Sequence, residues 1–444
     1  MRPTLLAITF LVMIPIISLL TGCCTFRASR QLQGGPIQGG EVKLGVVELD
    51  DQGRFWNKSE VTQVTDLVRK AALSGGATIV VFVHGWHHSA RSDDENLTSF
   101  RAALQKLKTE MDAPIYRAAR ARLVNHEDAE VIGVYVAWRG RSLPSFLDYL
   151  TFWGRKAAAQ RVGQGDVVEL LSTLNNIWSE ANERGKYPGL VTIGHSFGGQ
   201  VVLSAVSTIL RNRVVAAQPD GSGALQVLAG FGDLVVLVNP AVESASFGAI
   251  SEQTRGATFA RQQTPVLLVI SSETDGANGS WFPFGRRIGV LNQIHRDDEY
   301  QKNIRALGWY KPQVTHCLAA EGGRQCEGVP ERQLHYRGPR LSLSKTPRSQ
   351  EQYAGVWTEA DLERPEDIEL GADIGMVATK FYRVTDGIDP NQPFVLARAT
   401  SDIIDGHNDM FNPRFIDFLM RYAVGAELKR FSLLARSQSG GNRR

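Results

Sequence analysis

The chain has 444 residues, 43% of them apolar, and 49 Lys and Arg against 46 Asp and Glu for a formal net charge of +3. Mixed signs at that balance leave no concentrated basic face, which argues against nucleic acid as a partner, while the apolar fraction can build a substantial core. No internal repeat appears, which argues against a solenoid or propeller.

The N-terminus opens with Met1-Arg2, runs through uncharged apolar residues 5–20, and reaches Leu20-Thr21-Gly22-Cys23. An apolar run of this length behind a basic residue has the layout of a cleaved secretory signal, and is short for a spanning helix. Residues 20–23 resemble the lipobox of bacterial lipoproteins. The resemblance implies that residues 1–22 are removed and that Cys23 carries lipid, with Cys24 as the alternative acceptor. The chain would then be held at a membrane of the bacterial cell envelope, facing the periplasm or exterior, since two or more acyl chains anchor stably where one does not. Residues 23–42, rich in Gly, Gln and Arg, suit a flexible tether. The last nine residues, 436–444, read as an unstructured tail.

Between tether and tail, short apolar runs recur at 78–83 (TIVVFV), 131–138 (VIGVYVAW), 190–193 (LVTI), 234–238 (LVVLV), 265–270 (PVLLVI) and 394–397 (FVLA). They are rich in β-branched residues and do not alternate with polar ones, as expected for parallel strands covered on both faces. Helical patterns fall at 61–72, 97–111, 167–182, 199–211 and 415–422. Alternation of this kind predicts an α/β fold with a doubly wound, mostly parallel sheet. Two segments interrupt it. Residues 142–153 (SLPSFLDYLTFW), from Ser142 to Trp153, are aromatic-rich, suiting either a lid or pocket wall or plain core packing. Residues 276–392 read as a large insertion decorating the sheet before its last strand. Within it Cys317 and Cys326 are spaced to close a short loop by a disulfide in an oxidising compartment. No Cys-x-x-Cys or His-x-x-x-His spacing accompanies them, so no metal site and no cofactor is expected.

Chemistry is signalled at 190–199 (LVTIGHSFGG), where Gly194-His195-Ser196-Phe197-Gly198 follows a strand and precedes a helix. A serine on so sharp a turn occupies strained backbone angles, and side chains two residues to either side would collide, hence Gly194 and Gly198. The helix that follows points its N-terminal amides at the serine and favours negative charge there.

With this turn, Val83-His84-Gly85-Trp86 after an earlier strand, and Asp405-Gly406-His407-Asn408 after the last one, the chain resembles the α/β-hydrolase superfamily over residues 43–425, apart from the insertion. The resemblance implies a domain spanning 43–435 with Ser196 as nucleophile. It makes the backbone N–H groups of Trp86 and Phe197 the oxyanion donors, each worth on the order of 3 kcal/mol in the transition state. The side chain of His84 is then structural. The family order of serine, acid, histidine makes His407 the general base, because it alone of nine histidines combines loop position, order and a following helix. The acid lies in 271–276 (SSETDG): Asp275 first, with Glu273 and then Glu243 as alternatives. Asp402 and Asp405 are too near His407 and read as turn caps.

The implied activity is serine hydrolysis of a carboxylic ester or related acyl bond, in a small-molecule or lipid substrate. Thioesterase and peptidase chemistry use the same three residues. The alternative of another class is a non-catalytic envelope module on a hydrolase scaffold. Trp86, Trp281, Phe282 and Phe284 hint at an apolar group in the substrate.

Overall fold

A computed structural model describes residues 37–39, 42–126, 128, 130–140, 151–217, 219, 223–296, 299–327, 374–376, 379–384 and 387–441. Residues 23–36 of the tether, with Cys23, and the candidate lid core at 142–150 lie outside the described residues, whereas Ile37–Gly39 at the tether's end, expected to be flexible, form a strand paired with Val42–Leu44.

Among the described residues eleven strands form one sheet in the order β1-β2-β4-β3-β5-β6-β7-β11-β8-β10-β9. They are β1 (Ile37–Gly39), β2 (Val42–Leu49), β3 (Ala77–Val83), β4 (Glu130–Trp138), β5 (Gly189–His195), β6 (Leu234–Val238), β7 (Leu267–Ser272), β8 (His316–Ala320), β9 (Ile374–Met376), β10 (Thr379–Arg383) and β11 (Phe394–Ala399). The run from β2 to β8 is parallel; β1 adds antiparallel at one edge, and β10 and then β9 add antiparallel at the other. The chain is thus α/β with a mostly parallel sheet.

Ten α-helices among the described residues cover it: α1 (Lys58–Ser74), α2 (Glu95–Met111), α3 (Pro114–Val124), α4 (Phe152–Gln164), α5 (Val167–Glu183), α6 (Phe197–Ala216), α7 (Gly248–Thr254), α8 (Phe282–Gly289), α9 (Glu299–Ile304) and α10 (Pro413–Gly441). Asn57 and Asp94 cap α1 and α2 with their side chains, accepting from N–H groups that no turn of the helix can satisfy.

Both faces of the sheet are buried, which is why its central strands read as unbroken apolar runs. In β3, Ile79, Val81 and Val83 enter one core, while Val80 and Phe82 enter the other. A fully buried side chain of this kind is worth roughly 1.5–3 kcal/mol, so two packed faces pin the strand register firmly. On one face α10 is held to α3 by the fully buried Arg120–Glu427 ion pair (2.9 Å).

Three expectations need correcting. Segment 276–392 does more than decorate the sheet: it contributes β8, β9 and β10, and β8 pairs directly with β11. The final helix runs on to Gly441, so residues 436–441 continue it, because past Gly425 no Gly or Pro interrupts the run before Gly440. Finally, β2, α3 and α4 are ordered elements that no apolar period announced.

Candidate active site

Chain order turns outward at β3 and β5: β4 lies to one side of β3, and β5 to the other. Such a switch leaves a crevice at the carboxyl ends of the strands. Ser196 follows β5 there, Gly85 and Trp86 follow β3, Asp275 follows β7, and His407 follows β11.

Ser196 sits at φ 55°, ψ −120° between β5 and α6. A side-chain-bearing residue in that region costs about 1–3 kcal/mol and persists only where its surroundings dictate it. Here they do: Ser196 N–H donates to Val238 O (3.0 Å), and Ser196 O accepts from Ala241 N–H (3.0 Å) and Gly199 N–H (3.0 Å). The flanking glycines are required as expected, for a Cβ at Gly194 or Gly198 would fall 2.6 or 2.0 Å from a carbonyl oxygen. One placed on Gly85 would lie 2.7 Å from Ser196 Cβ, so the turn carrying Trp86 stands directly against the serine.

Three side chains distant in sequence meet here. Asp275 Oδ2 lies 2.8 Å from His407 Nδ1, and His407 Nε2 lies 2.7 Å from Ser196 Oγ. A carboxylate only accepts, so Nδ1 carries the proton and donates it. In the neutral ring Nε2 is then the acceptor, taking the Ser196 O–H. Burial pushes the Asp275 carboxyl up, but His407 and the Asn278 N–H outweigh it and hold the pKa below the ordinary value. This chain of groups is set to take a proton from the serine oxygen and to steady the positive ring that results.

Glu273 and Glu243, the alternative acids, are engaged elsewhere. Glu273 accepts from Glu327 N–H (2.6 Å). Glu243 is clamped between Lys156 Nζ (3.0 Å) and Arg286 Nε (2.9 Å). The Asp405 carboxylate, expected to cap its own turn, instead accepts from the Thr274 hydroxyl (3.1 Å) of the loop after β7 and does not reach His407 as the acid.

Sequence reasoning missed the residues that hold these three in place. Asn278 donates through its amide to Asp275 Oδ2 (2.9 Å) and to Asn239 O (2.8 Å), and its own N–H meets Asp275 Oδ1 (3.0 Å). Asn239, at φ 44°, donates to His407 O (2.9 Å) and accepts from Ser272 N–H (2.8 Å). His195 Nε2 donates to the same His407 carbonyl (2.9 Å), since a carbonyl can only accept. Burial, with the nearby His407, holds His195 neutral and its pKa down to about 3.

On the other side His84, buried and with its pKa held down to about 4, donates from Nδ1 to Gly85 O (2.8 Å) and accepts at Nε2 from Trp138 N–H (3.1 Å). It therefore grips the peptide whose N–H belongs to Trp86. Phe152 and Phe197 rings stand 5.0 Å apart, and Trp86 lies 5.2 Å from Phe152 edge to face, forming an aromatic wall beside the serine.

Cys317 and Cys326 are joined in a disulfide with Cα atoms 6.0 Å apart, remote in sequence from the serine turn. Among the described residues no group of three or more His, Cys, Asp or Glu side chains is disposed to hold a metal ion. Comparison with family models, with curated proteins and with solved structures finds no match.

Proposed function

We propose that this chain is a serine hydrolase of the α/β-hydrolase type that cleaves a carboxylic ester or related acyl bond. The observation that carries the reading is the hydrogen-bonded line Asp275–His407–Ser196 at the strand ends. Ser196 Oγ attacks the substrate carbonyl carbon as its proton passes to His407 Nε2. The carbonyl oxygen becomes an oxyanion facing the backbone N–H groups of Trp86 and Phe197 at the start of α6. Collapse of this intermediate expels the alcohol, which takes the proton back from His407 and leaves an acyl-serine. Water, deprotonated by His407, then releases the acid and restores the serine. One imidazole carries the proton in both half-reactions, held in its tautomer by Asp275.

The module reading would gain from a disengaged serine or histidine, and both are engaged. The location proposed with this activity is the bacterial envelope, with the chain anchored through lipid on Cys23. It rests on residues 20–23 alone.

The test is hydrolysis of a short-to-long series of nitrophenyl esters by the wild-type chain beside Ser196→Ala and His407→Ala. Turnover should fall by about 10⁴-fold or more in each variant, and the double variant should lose little further because the residues act as a unit. Equal turnover in wild type and Ser196→Ala would overturn the proposal.

A further inference from the structure

Residues 276–296 contain no Asp or Glu but hold Arg286, Arg287 and Arg296 among Trp, Phe, Ile and Leu. The segment follows the Asp275 loop as a π turn and α8. Phe282 and Val290 point into the protein and are buried. Trp281, Phe284, Ile288, Leu291 and Ile294 point the other way, from 59% exposed at Ile288 to fully exposed at Ile294. They make up five of the ten large hydrophobic side chains exposed among the described residues, so the exposure is concentrated, not scattered. Trp281, Phe284 and Ile288 recur at helical spacing, and Arg287 is exposed among them.

We infer that residues 281–296 dock this face of the molecule on an anionic phospholipid surface. Exposed aromatic and aliphatic side chains with Arg287 and Arg296 among them, in a run free of acids up to Asp297, match the two halves of a bilayer interface: the rings enter the acyl boundary while guanidinium groups meet phosphates. A second copy of the chain fits less well, because a twofold contact sets each patch against itself and would bring Arg287 of both copies together. Arg296, 72% exposed at its side chain, has Glu252 and Glu299 only at 3.8 and 3.9 Å, leaving it able to turn toward a lipid phosphate.

The segment is fixed to the serine side of the molecule. Gly285 lies against the ring of Trp153, where a Cβ would come within 1.9 Å of it, and Trp153 stacks edge-on to Phe152 (5.1 Å) in the aromatic wall. Arg286 reaches Glu243, which also holds the buried Lys156. Docking would therefore present the crevice to the membrane surface. The inference does not depend on the hydrolase reading, because binding is measured without turnover.

Hydrogen exchange of the full chain, followed at residues 281–296, tests it. A lipid anchor elsewhere can hold the chain on any vesicle, so local protection is the readout. Vesicles of phosphatidylglycerol and phosphatidylethanolamine should slow exchange there by about tenfold or more. Pure phosphatidylcholine should do so less, and the Arg287→Glu/Arg296→Glu variant should lose the difference. Trp281→Ser/Phe284→Ser/Leu291→Ser, which leaves Phe282 and Val290 in place, should lose the protection while keeping its circular dichroism spectrum. Failure of vesicles to alter exchange, protection retained by the triple variant, or protection that grows with protein concentration in the absence of lipid would each overturn it, the last assigning the face to a second copy.

Discussion

The ring of His407 makes two hydrogen bonds of opposite sense, and one buried carboxylate fixes which is which. Asp275 is fully buried, yet His407 and Asn278 keep its charge, so removing that charge should disturb the tautomer more than the fold. Asp275→Asn is expected to lower kcat on a nitrophenyl ester by about 10⁴-fold with KM little changed. Glu273→Gln, whose carboxyl meets a distant backbone N–H, should stay within a few-fold of wild type. Equal losses in the two variants would reassign the acid. Ser196, Asp275 and His407 were legible because each sits in a loop directly after an apolar strand and in a fixed chain order. Asn239, Asn278 and His195 were not, because their work is done by amide and imidazole contacts to backbone far away in the chain, and an Asn in a loop reads first as a turn residue.

At the scale of elements, two neutral histidines join the strand ends. His84 ties the loop after β3 to β4, and His195 ties β5 to the loop after β11. Both have pKa values held far below the ordinary 6.5, so between that value and the folded one the unfolded chain binds the proton and the native chain does not. The stability each contributes is present above pH 6.5 and is lost as pH falls, at about 1.4 kcal/mol per unit. The buried carboxyls Asp233 and Glu427, raised by burial, act in the opposite sense, so the measurement is a difference. His195→Gln should be destabilised at pH 7.5 in denaturant unfolding, and its deficit should shrink by about 2 kcal/mol at pH 5. A deficit that is constant or grows on acidification would contradict a neutral buried His195. The central strands were readable because burial on both faces leaves no polar alternation. In β2 (VKLGVVEL) Lys43, Gly45 and Glu48 break the run, although Lys43 is paired with Glu130 and Glu48 is buried. The helix α4 opens from an aromatic segment and carries Arg155 and Lys156 inward to ion pairs, which defeats an apolar period.

Over the whole molecule, the sheet is built from pieces more than 200 residues apart, with β2 at one side and β8, β10 and β9 at the other. The strands inside 276–392 could not be separated from an ornament by composition, because they are only three to five residues long and β8 (HCLAA) and β10 (TKFYR) carry few β-branched residues, although β8 is buried along its length. Among the described residues no helix is long and apolar enough to cross a membrane. Membrane attachment is therefore argued from residues 20–23 and from the exposed face of 281–296. For the first, Cys23→Ala should abolish incorporation of labelled palmitate by cells expressing the full chain. Labelling that persists would move the anchor to Cys24, and wild-type chain that takes up none would remove the lipid anchor.

The reactivity of Ser196 toward a fluorophosphonate tests the central claim most directly, since it asks for an activated nucleophile and an oxyanion site without assuming a substrate. The account predicts one adduct per chain, mapped to Ser196, absent in Ser196→Ala and slowed by about 100-fold or more in His407→Ala. A wild-type chain that unfolds cooperatively, and so is shown to be folded, yet leaves Ser196 unmodified would contradict it.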